Sequence, residues 1–243
     1  MDLREQTDNP HRHPWELSRA DMVLRLLSGN PRGARYADVG AGDLYFARRL
    51  KSLTDGTIYA VDVNYGSARA EAHLAVCTDL AEVPTASVDW VLLMDVLEHV
   101  EDDLGLLNAV RRIQVPGGHV LITVHAHGFL WSEHDVFLGH HRRYDRRQLR
   151  DLLRRGRFDV EECFYFYGLP FLARALHVGL AALGLGQKHG SAVSAWPYPD
   201  AHPISRTVRT ALNGDFRVSR ALGAASLPVP GLSICAICRQ ASA

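Results

Sequence analysis

The sequence has no excess of charge of either sign, since Lys and Arg together number 27 and Asp and Glu also number 27. No global field therefore draws the protein to nucleic acid or to an anionic membrane, although thirteen histidines add positive charge below neutral pH. No uncharged apolar run reaches the length of a membrane span, and the opening MDLREQTDNPHRHPWEL does not resemble a signal peptide. We therefore expect a soluble, cytoplasmic protein with no nucleic-acid partner and no transmembrane segment.

Cysteine is also scarce, with four residues in the chain. Cys235 and Cys238 form a CxxC, a spacing that occurs in redox and zinc motifs. The surrounding GLSICAIC is nevertheless typical of a buried strand, in which residues three apart point to opposite faces. We interpret both residues as ordinary core cysteines, because free cysteine packs as a small apolar group.

The chain contains no internal repeat and no low-complexity tract, and its 243 residues favour one elaborated domain, 1–243. Residues 1–30 form an N-terminal segment with a predicted helix at 15–27. From residue 35 onward, strand patterns alternate with helix patterns, which indicates an α/β fold with a Rossmann-like, doubly wound, mostly parallel sheet of seven strands. Residues 168–228, between the last two predicted strands, are too many for a turn, so we expect a helical cap or lid inserted there.

The stretch DVGAGD, residues 38–43, joins a predicted strand to a predicted helix. Glycines allow a ligand to approach the backbone closely, and a helix N-terminus offers unpaired N–H groups. A dinucleotide-binding turn would read GxGxxG, but Tyr45 stands at the third glycine position. Asp62 ends the next strand about twenty residues later, where a carboxylate can accept from ribose hydroxyls. The pattern predicts a nucleoside site without a clear diphosphate cradle; the alternative is a tight turn with an unrelated surface Asp62.

Several stretches, in order over about residues 35–125, resemble the class I S-adenosylmethionine-dependent methyltransferases. DVGAGD resembles their first motif, AVDV their ribose motif, CTDL their adenine-side loop, DWVLLMDVLEHVED their fourth strand and PGGHVLITV their fifth-strand motif. HPWELSRAD and WSEHDVFLGHHRRYDRRQLRDLL are similar to elements of bacterial small-molecule methyltransferases. One departure is Leu44, which stands where many members have a third glycine, so a tighter or shifted turn is expected there.

The resemblance implies S-adenosyl-L-methionine as cofactor, and its cationic sulfonium and ammonium groups explain why carboxylates surround the pocket. Asp38 should lie near the amino group, Asp62 should hold the ribose, and Asp79 should accept from the adenine amino group beside Leu80. The cofactor-binding residues implied in this way are Asp38, Gly40, Ala41, Gly42, Asp62, Val63, Asp79, Leu80, Asp95 and Val96.

The stretch GHHRRYD, residues 139–145, allows several interpretations. We expect no metal there, because adjacent histidines rarely chelate one ion and the neighbouring ones show no HxxxH or HExxH spacing. A nucleic-acid patch lacks a recognisable module. We interpret the stretch as a wall of the acceptor pocket, because the segment after the fifth strand passes over the carboxyl ends of the strands. A solvated turn remains the alternative, and we prefer it for Arg143, Arg146 and Arg147.

Methyl transfer is an in-line displacement, and a hydroxyl or amine acceptor must also lose a proton, which histidine can take at neutral pH. The predicted catalytic residues are His99, His125, His140, His141 and Tyr144, and the predicted substrate-binding residues are Trp131, Arg142 and Tyr144. We expect a small-molecule acceptor that is methylated on a hydroxyl oxygen or, as second choice, on an amine nitrogen. A nicotinamide-dependent oxidoreductase and a non-catalytic cofactor-binding protein remain alternatives, and a homodimer is left open.

Overall fold

The computed structural model describes residues 11–184, 196–225, 227 and 229–241. Its helices are α1 (Pro14–Leu27), α2 (Tyr45–Leu50), α3 (Asp103–Ile113), α4 (Glu133–Leu138), α5 (Arg146–Arg155), α6 (Gly168–Ala182) and α7 (Pro203–Ala224). Its strands are β1 (Tyr36–Val39), β2 (Ile58–Val61), β3 (Arg69–Glu71), β4 (Leu74–Cys77), β5 (Val88–Met94), β6 (Gln114–His125), β7 (Phe158–Phe166) and β8 (Ser233–Gln240).

One sheet contains all eight strands in the order β3-β4-β2-β1-β5-β6-β8-β7. The pairs β4/β2, β2/β1, β1/β5 and β5/β6 are parallel, whereas β8 runs antiparallel between β6 and β7. The predicted mostly parallel α/β fold is therefore confirmed. The eighth strand is β3, three exposed residues paired antiparallel with β4, and its short polar sequence carries no strand periodicity that could have revealed it.

Helices cover both faces of the sheet, and consecutive strand residues alternate between two cores. Leu92 of β5 packs with α1, α2 and α7 on one face, and Leu93 packs with α3 and α5 on the other. Cys235 and Cys238 divide between the same two clusters, and both are free and buried. This confirms their interpretation as core cysteines on opposite faces of β8.

The segment 168–228 contains two helices in different surroundings. Helix α7 buries Leu212 and Phe216 against Phe164 and Phe166 of β7, and it also packs along α1. It is thus a layer of the domain, because its apolar face is already covered by the sheet. The predicted cap of residues 168–228 is therefore wrong for α7, and residues 185–195, 226 and 228 of it lie outside the described residues. Among the residues that are described, no helix combines the length and apolarity that crossing a membrane requires.

Candidate active site

The strand order reverses direction between β1 and β5, which opens a crevice at the carboxyl ends of these strands. The glycine turn follows β1 at this crevice. Gly40 has φ +73°, and a Cβ on it would lie 2.6 Å from Cγ2 of Val96, so only glycine fits. Gly42 has φ +52°. Leu44, at the position of the departure, also has a left-handed φ of 66°, a conformation that normally favours glycine.

Asp62 ties the end of β2 to this turn. Its carboxylate accepts from the backbone N–H of Gly42 at 2.9 Å and from the backbone N–H of Asn64 at 2.9 Å. The Tyr65 hydroxyl donates to the carbonyl of Gly42 at 2.7 Å and closes the same loop. The predicted partner of the turn is therefore in hydrogen-bond contact with it, and the turn is preorganised.

Two further predicted cofactor residues lie beside Asp62, because β4 is the neighbour of β2 in the sheet. Asp79 follows β4, is exposed, and accepts from the N–H of Ala81 at 2.6 Å through one oxygen. Leu80 is half-buried next to it, and Val63 is exposed at the end of β2. An exposed apolar surface and a carboxylate thus share the edge where the ribose and the adenine were expected.

Asp38 is the most unusual carboxylate of the crevice. It is 1% exposed, and neither carboxylate oxygen bonds a protein donor among the described residues. Burial raises the pKa of Asp38 to about 7. A buried carboxylate without a donor is costly unless a cation neutralises it, so the ammonium group of the expected cofactor fits this position.

Helix α1 and Arg12, which lies just before it, cover one side of the crevice, a contribution that the sequence analysis missed. Arg19 forms an ion pair with Asp95, and Arg12 forms one with Asp43 while its guanidinium stacks 3.9 Å from the centroid of the Tyr45 ring. Together with Asp38 and the glycine turn, the side chains of Arg12, Arg19, Asp43 and Tyr45 line a cleft that is partly open to solvent. No local pattern marks these arginines, because their partners lie in distant segments.

The second half of the crevice, at the ends of β5 and β6, holds a histidine cluster. Glu98 is fully buried, and its Oε1 lies 2.6 Å from Nδ1 of His125. Burial alone would raise the pKa of Glu98, but the hydrogen bond and charge of His125 outweigh it and lower this pKa. The ring of His140 lies 4.9 Å from that of His125 and 4.5 Å from that of His99. One donor atom each from Glu98, His125 and His140 lie within 4.8 Å of one another, so this cluster could hold a metal ion.

Backbone hydrogen bonds fix residues 140–144 against this cluster. The N–H of His141 donates to the carbonyl of Glu98 at 2.7 Å, and the N–H of Tyr144 donates to the carbonyl of His125 at 3.0 Å. Arg143 has a side chain only 8% exposed and donates twice to Asp135, at 2.7 and 3.0 Å. The preferred solvated-turn interpretation is therefore wrong for Arg143, whereas Arg147 is exposed as expected.

Two other residues that were predicted to contact the acceptor, Tyr144 and Arg142, form hydrogen bonds within the protein. The buried Tyr144 donates to Asp103 at 3.0 Å, and burial raises the pKa of its hydroxyl. Arg142 donates to the same carboxylate at 2.7 Å. Both side chains are therefore hydrogen-bonded to the first residue of α3. His141 is exposed, and so is Trp131, which follows a short 3₁₀ turn, Gly128–Leu130.

Comparison with known proteins gives relatives of one kind. The ubiquinone biosynthesis O-methyltransferase of Xanthomonas oryzae pv. oryzae (strain PXO99A) is 27% identical over 127 residues, 47% of this chain and 49% of that protein. The enzyme of the same name from Pectobacterium carotovorum subsp. carotovorum (strain PC1) is 35% identical over 95 residues, 39% of this chain and 35% of that protein. The match thus spans about half the length of these relatives or less.

Solved structures share the fold at low identity. Phosphoethanolamine N-methyltransferase 2 of Haemonchus contortus, in complex with S-adenosyl-L-methionine, superposes with a TM-score of 0.55 at 18% identity, covering 94% of this chain and 53% of that chain. The [4+2]-cyclase SpnF superposes with a TM-score of 0.54 at 16% identity, covering 97% and 85%. A family model described as a methyltransferase domain matches residues 12–177. The chain therefore belongs to this methyltransferase family, which confirms the resemblance to the class I S-adenosylmethionine-dependent methyltransferases.

Proposed function

We propose that the protein transfers a methyl group from S-adenosyl-L-methionine to a hydroxyl oxygen of a small aromatic molecule. The observation that carries the cofactor half of this proposal is Asp38, a buried carboxylate with no protein donor among the described residues, directly before a glycine turn. The donor set fits the cofactor's charges, because carboxylates favour its ammonium and sulfonium groups.

Different residues of the crevice bind different groups of the cofactor. Asp38 binds the ammonium group, and Asp62 accepts from the ribose hydroxyls while it holds Gly42 in place. Asp79 accepts from the adenine amino group, and Leu80 packs on the ring. Asp95, held by Thr123 at 2.8 Å, lines the methionine end with Val96. When bound, the cofactor supplies an electrophilic methyl group, and the protein supplies alignment.

The acceptor binds over β5 and β6, where the histidine cluster lies. His99 takes the hydroxyl proton, the oxygen forms a bond to the methyl carbon, and the carbon–sulfur bond breaks with its electron pair left on sulfur. His99 is favoured because it is partly exposed at the end of the short 3₁₀ turn after β5, whereas the side chain of His140 is fully buried. A phenol is a suitable acceptor, since its pKa of about 10 is within reach of an imidazole base.

Oxygen is preferred over nitrogen because the curated relatives are named O-methyltransferases. The exposed rings of Phe129 and Trp131, on the loop after β6, offer apolar surface for an aromatic acceptor. A nicotinamide-dependent oxidoreductase is disfavoured, because Tyr45, at the third glycine position, is packed under the Arg12 guanidinium.

The cofactor assignment is tested by calorimetric titration with S-adenosylhomocysteine and, separately, with NADH. We expect binding of the former, weakened roughly 10- to 100-fold in Asp62→Ala, because hydrogen bonds to a charged group contribute about 1.5–3 kcal/mol. Asp55→Ala is the matched control, since Asp55 is an exposed acidic residue just before β2 and pairs only at the surface with Arg32. Binding of NADH, or of neither compound, would refute the proposal.

The base is tested by measuring S-adenosylhomocysteine formation with a panel of phenols, alcohols and amines. For the best acceptor, we expect His99→Gln to lower kcat about 100-fold with little change in S-adenosylhomocysteine affinity. His119→Gln is the control, because His119 lies in the middle of β6, away from the strand end that carries His125, and stacks on Trp90. Equal activity of His99→Gln and wild type would exclude His99 as the base.

A further inference from the structure

We propose that Glu98, His125 and His140 bind one divalent transition-metal ion, with Zn²⁺ as the ion that this donor set suits. Nothing in the local sequence indicates such a site, because the three donors follow β5, end β6 and lie after α4. The binding of the ion is independent of the proposed methyl transfer, whereas the role given to it below rests on that function.

The cluster carries two buried acceptors for which the described residues provide no donor. Oε2 of Glu98 and Nε2 of His140 are both buried and bond no protein group. Nδ1 of His140 lies 2.9 Å from the carboxylate of Asp135, so Nδ1 carries the proton and Nε2 presents a lone pair. Two unpaired acceptors in one buried cluster are satisfied best by a cation.

The geometry is close to that of a bound site. Donor atoms of the three residues lie within 4.8 Å of one another. Around a tetrahedral zinc with bonds of about 2.1 Å, donors stand roughly 3.4 Å apart. Small side-chain rotations would therefore complete the site, and His125, with 19% of its side chain exposed, has room to move.

A supporting shell orients His140 in the way that metal-binding histidines are oriented. Asp135 accepts from His140, from both Nε and Nη2 of Arg143, and from the N–H and hydroxyl of Ser132. A carboxylate behind the distal imidazole nitrogen fixes the tautomer and raises the basicity of the ligating nitrogen. Binding an acceptor molecule does not require Asp135 to hold His140 in this way. A histidine that binds a metal ion through its other ring nitrogen commonly has such a carboxylate partner.

The donor types select the class of ion. Two imidazoles and one carboxylate suit zinc and related first-row ions, whereas Mg²⁺ and Ca²⁺ prefer oxygen ligands. Three protein ligands leave a coordination position open, as in catalytic zinc sites. The acceptor's hydroxyl oxygen would take this position, where the ion lowers its pKa and the adjacent His99 receives the proton.

The test measures metal content and not activity. The full-length protein is stripped with a chelator, incubated with ZnCl₂ or CoCl₂, desalted and analysed by mass spectrometry for metal per chain. We expect one ion per chain, visible Co²⁺ absorption bands typical of tetrahedral coordination, and affinity lowered roughly 100-fold in Glu98→Gln and His140→Gln. His119→Gln should retain the ion, which separates the site from scattered surface histidines.

Two results would overturn the site: retention no higher than in a chelator-treated blank, or equal retention in Glu98→Gln, His140→Gln and wild type. If the buried His140 variant does not fold, the partly exposed His125→Gln replaces it, with circular dichroism as the check. Titration of the same samples with S-adenosylhomocysteine keeps the two proposals apart. Zinc binding without cofactor binding refutes only methyl transfer, and cofactor binding without zinc refutes only the metal site.

Discussion

Replacing Asp38 by Asn should stabilise the cofactor-free protein at neutral pH while it weakens cofactor binding. The carboxylate is buried without a protein donor among the described residues, and burial raises its pKa to about 7. A raised pKa means that the folded state holds the proton more tightly than the unfolded chain does. The contribution of Asp38 to stability is therefore complete below pH 4 or thereabouts and is lost as the pH rises through about 7.

The magnitude follows from the two pKa values. At about 1.4 kcal/mol per pKa unit, the rise from 3.8 to about 7 removes roughly 4 kcal/mol of unfolding free energy between these pH values. Asn carries no charge and loses none of this energy, although its own buried amide costs on the order of 1–3 kcal/mol at every pH. The difference in stability between Asp38→Asn and wild type should thus shift by about 4 kcal/mol in favour of the variant from about pH 4 to about pH 7.5.

Urea unfolding of both proteins at several pH values measures this difference. Asp89→Asn serves as the control of opposite sign: burial alone would raise the pKa of Asp89, but hydrogen bonds from Arg35 outweigh it and lower that pKa. The stability that Asp89 contributes is present above its unfolded pKa and lost as the pH falls, so its variant should lose stability at pH 7.5. A pH-independent difference for Asp38→Asn would refute the argument.

Two further predictions concern the scaffold. Gly214→Ala in α7 should raise the unfolding free energy by about 1 kcal/mol, because nothing lies near the added methyl group and Ala favours helix. Gly223→Ala in the same helix should lower the unfolding free energy by about 1–3 kcal/mol, because its Cβ would lie 2.7 Å from Cβ of Phe164. Thermal and urea unfolding compare the pair, and a loss in both variants would contradict the packing of α7. Asp135→Asn should cost about 3 kcal/mol in urea unfolding at pH 7, because it leaves Arg143 buried without its charge partner; a variant as stable as wild type would show that this ion pair is not needed.

Local patterns predicted the parts of the molecule that depend on local physics. The mostly parallel sheet follows from the alternating strand and helix periodicities of the sequence. The proximity of Asp62 to the glycine turn, seen in its hydrogen bond with Gly42, was also predictable, because adjacent parallel strands end at the same edge of a sheet.

Contacts between distant segments were beyond such patterns. Nothing near Glu98 indicates that His140 lies beside it, and nothing in α1 shows that Arg19 will meet Asp95. The expected cap failed at α7 for a related reason: an amphipathic helix shows that it buries one face but not which surface covers it. These parts of the site could not be predicted because the residues that form them are far apart in the sequence.

Four carboxylates are buried among the described residues: Asp38, Asp62, Glu98 and Asp135. The carboxylate oxygens of Asp62 and Asp135 accept hydrogen bonds from backbone, hydroxyl, imidazole or guanidinium donors, and these bonds fix the loops of the site. Asp38 and Glu98 keep unpaired oxygens, one on each side of the point where the strand order reverses. An unpaired buried acceptor costs stability, and in the two proposals made above an ammonium group at Asp38 and a metal ion at Glu98 would offset this cost at neutral pH. If both proposals hold, the two unpaired carboxylates divide the crevice into a cofactor half and an acceptor half.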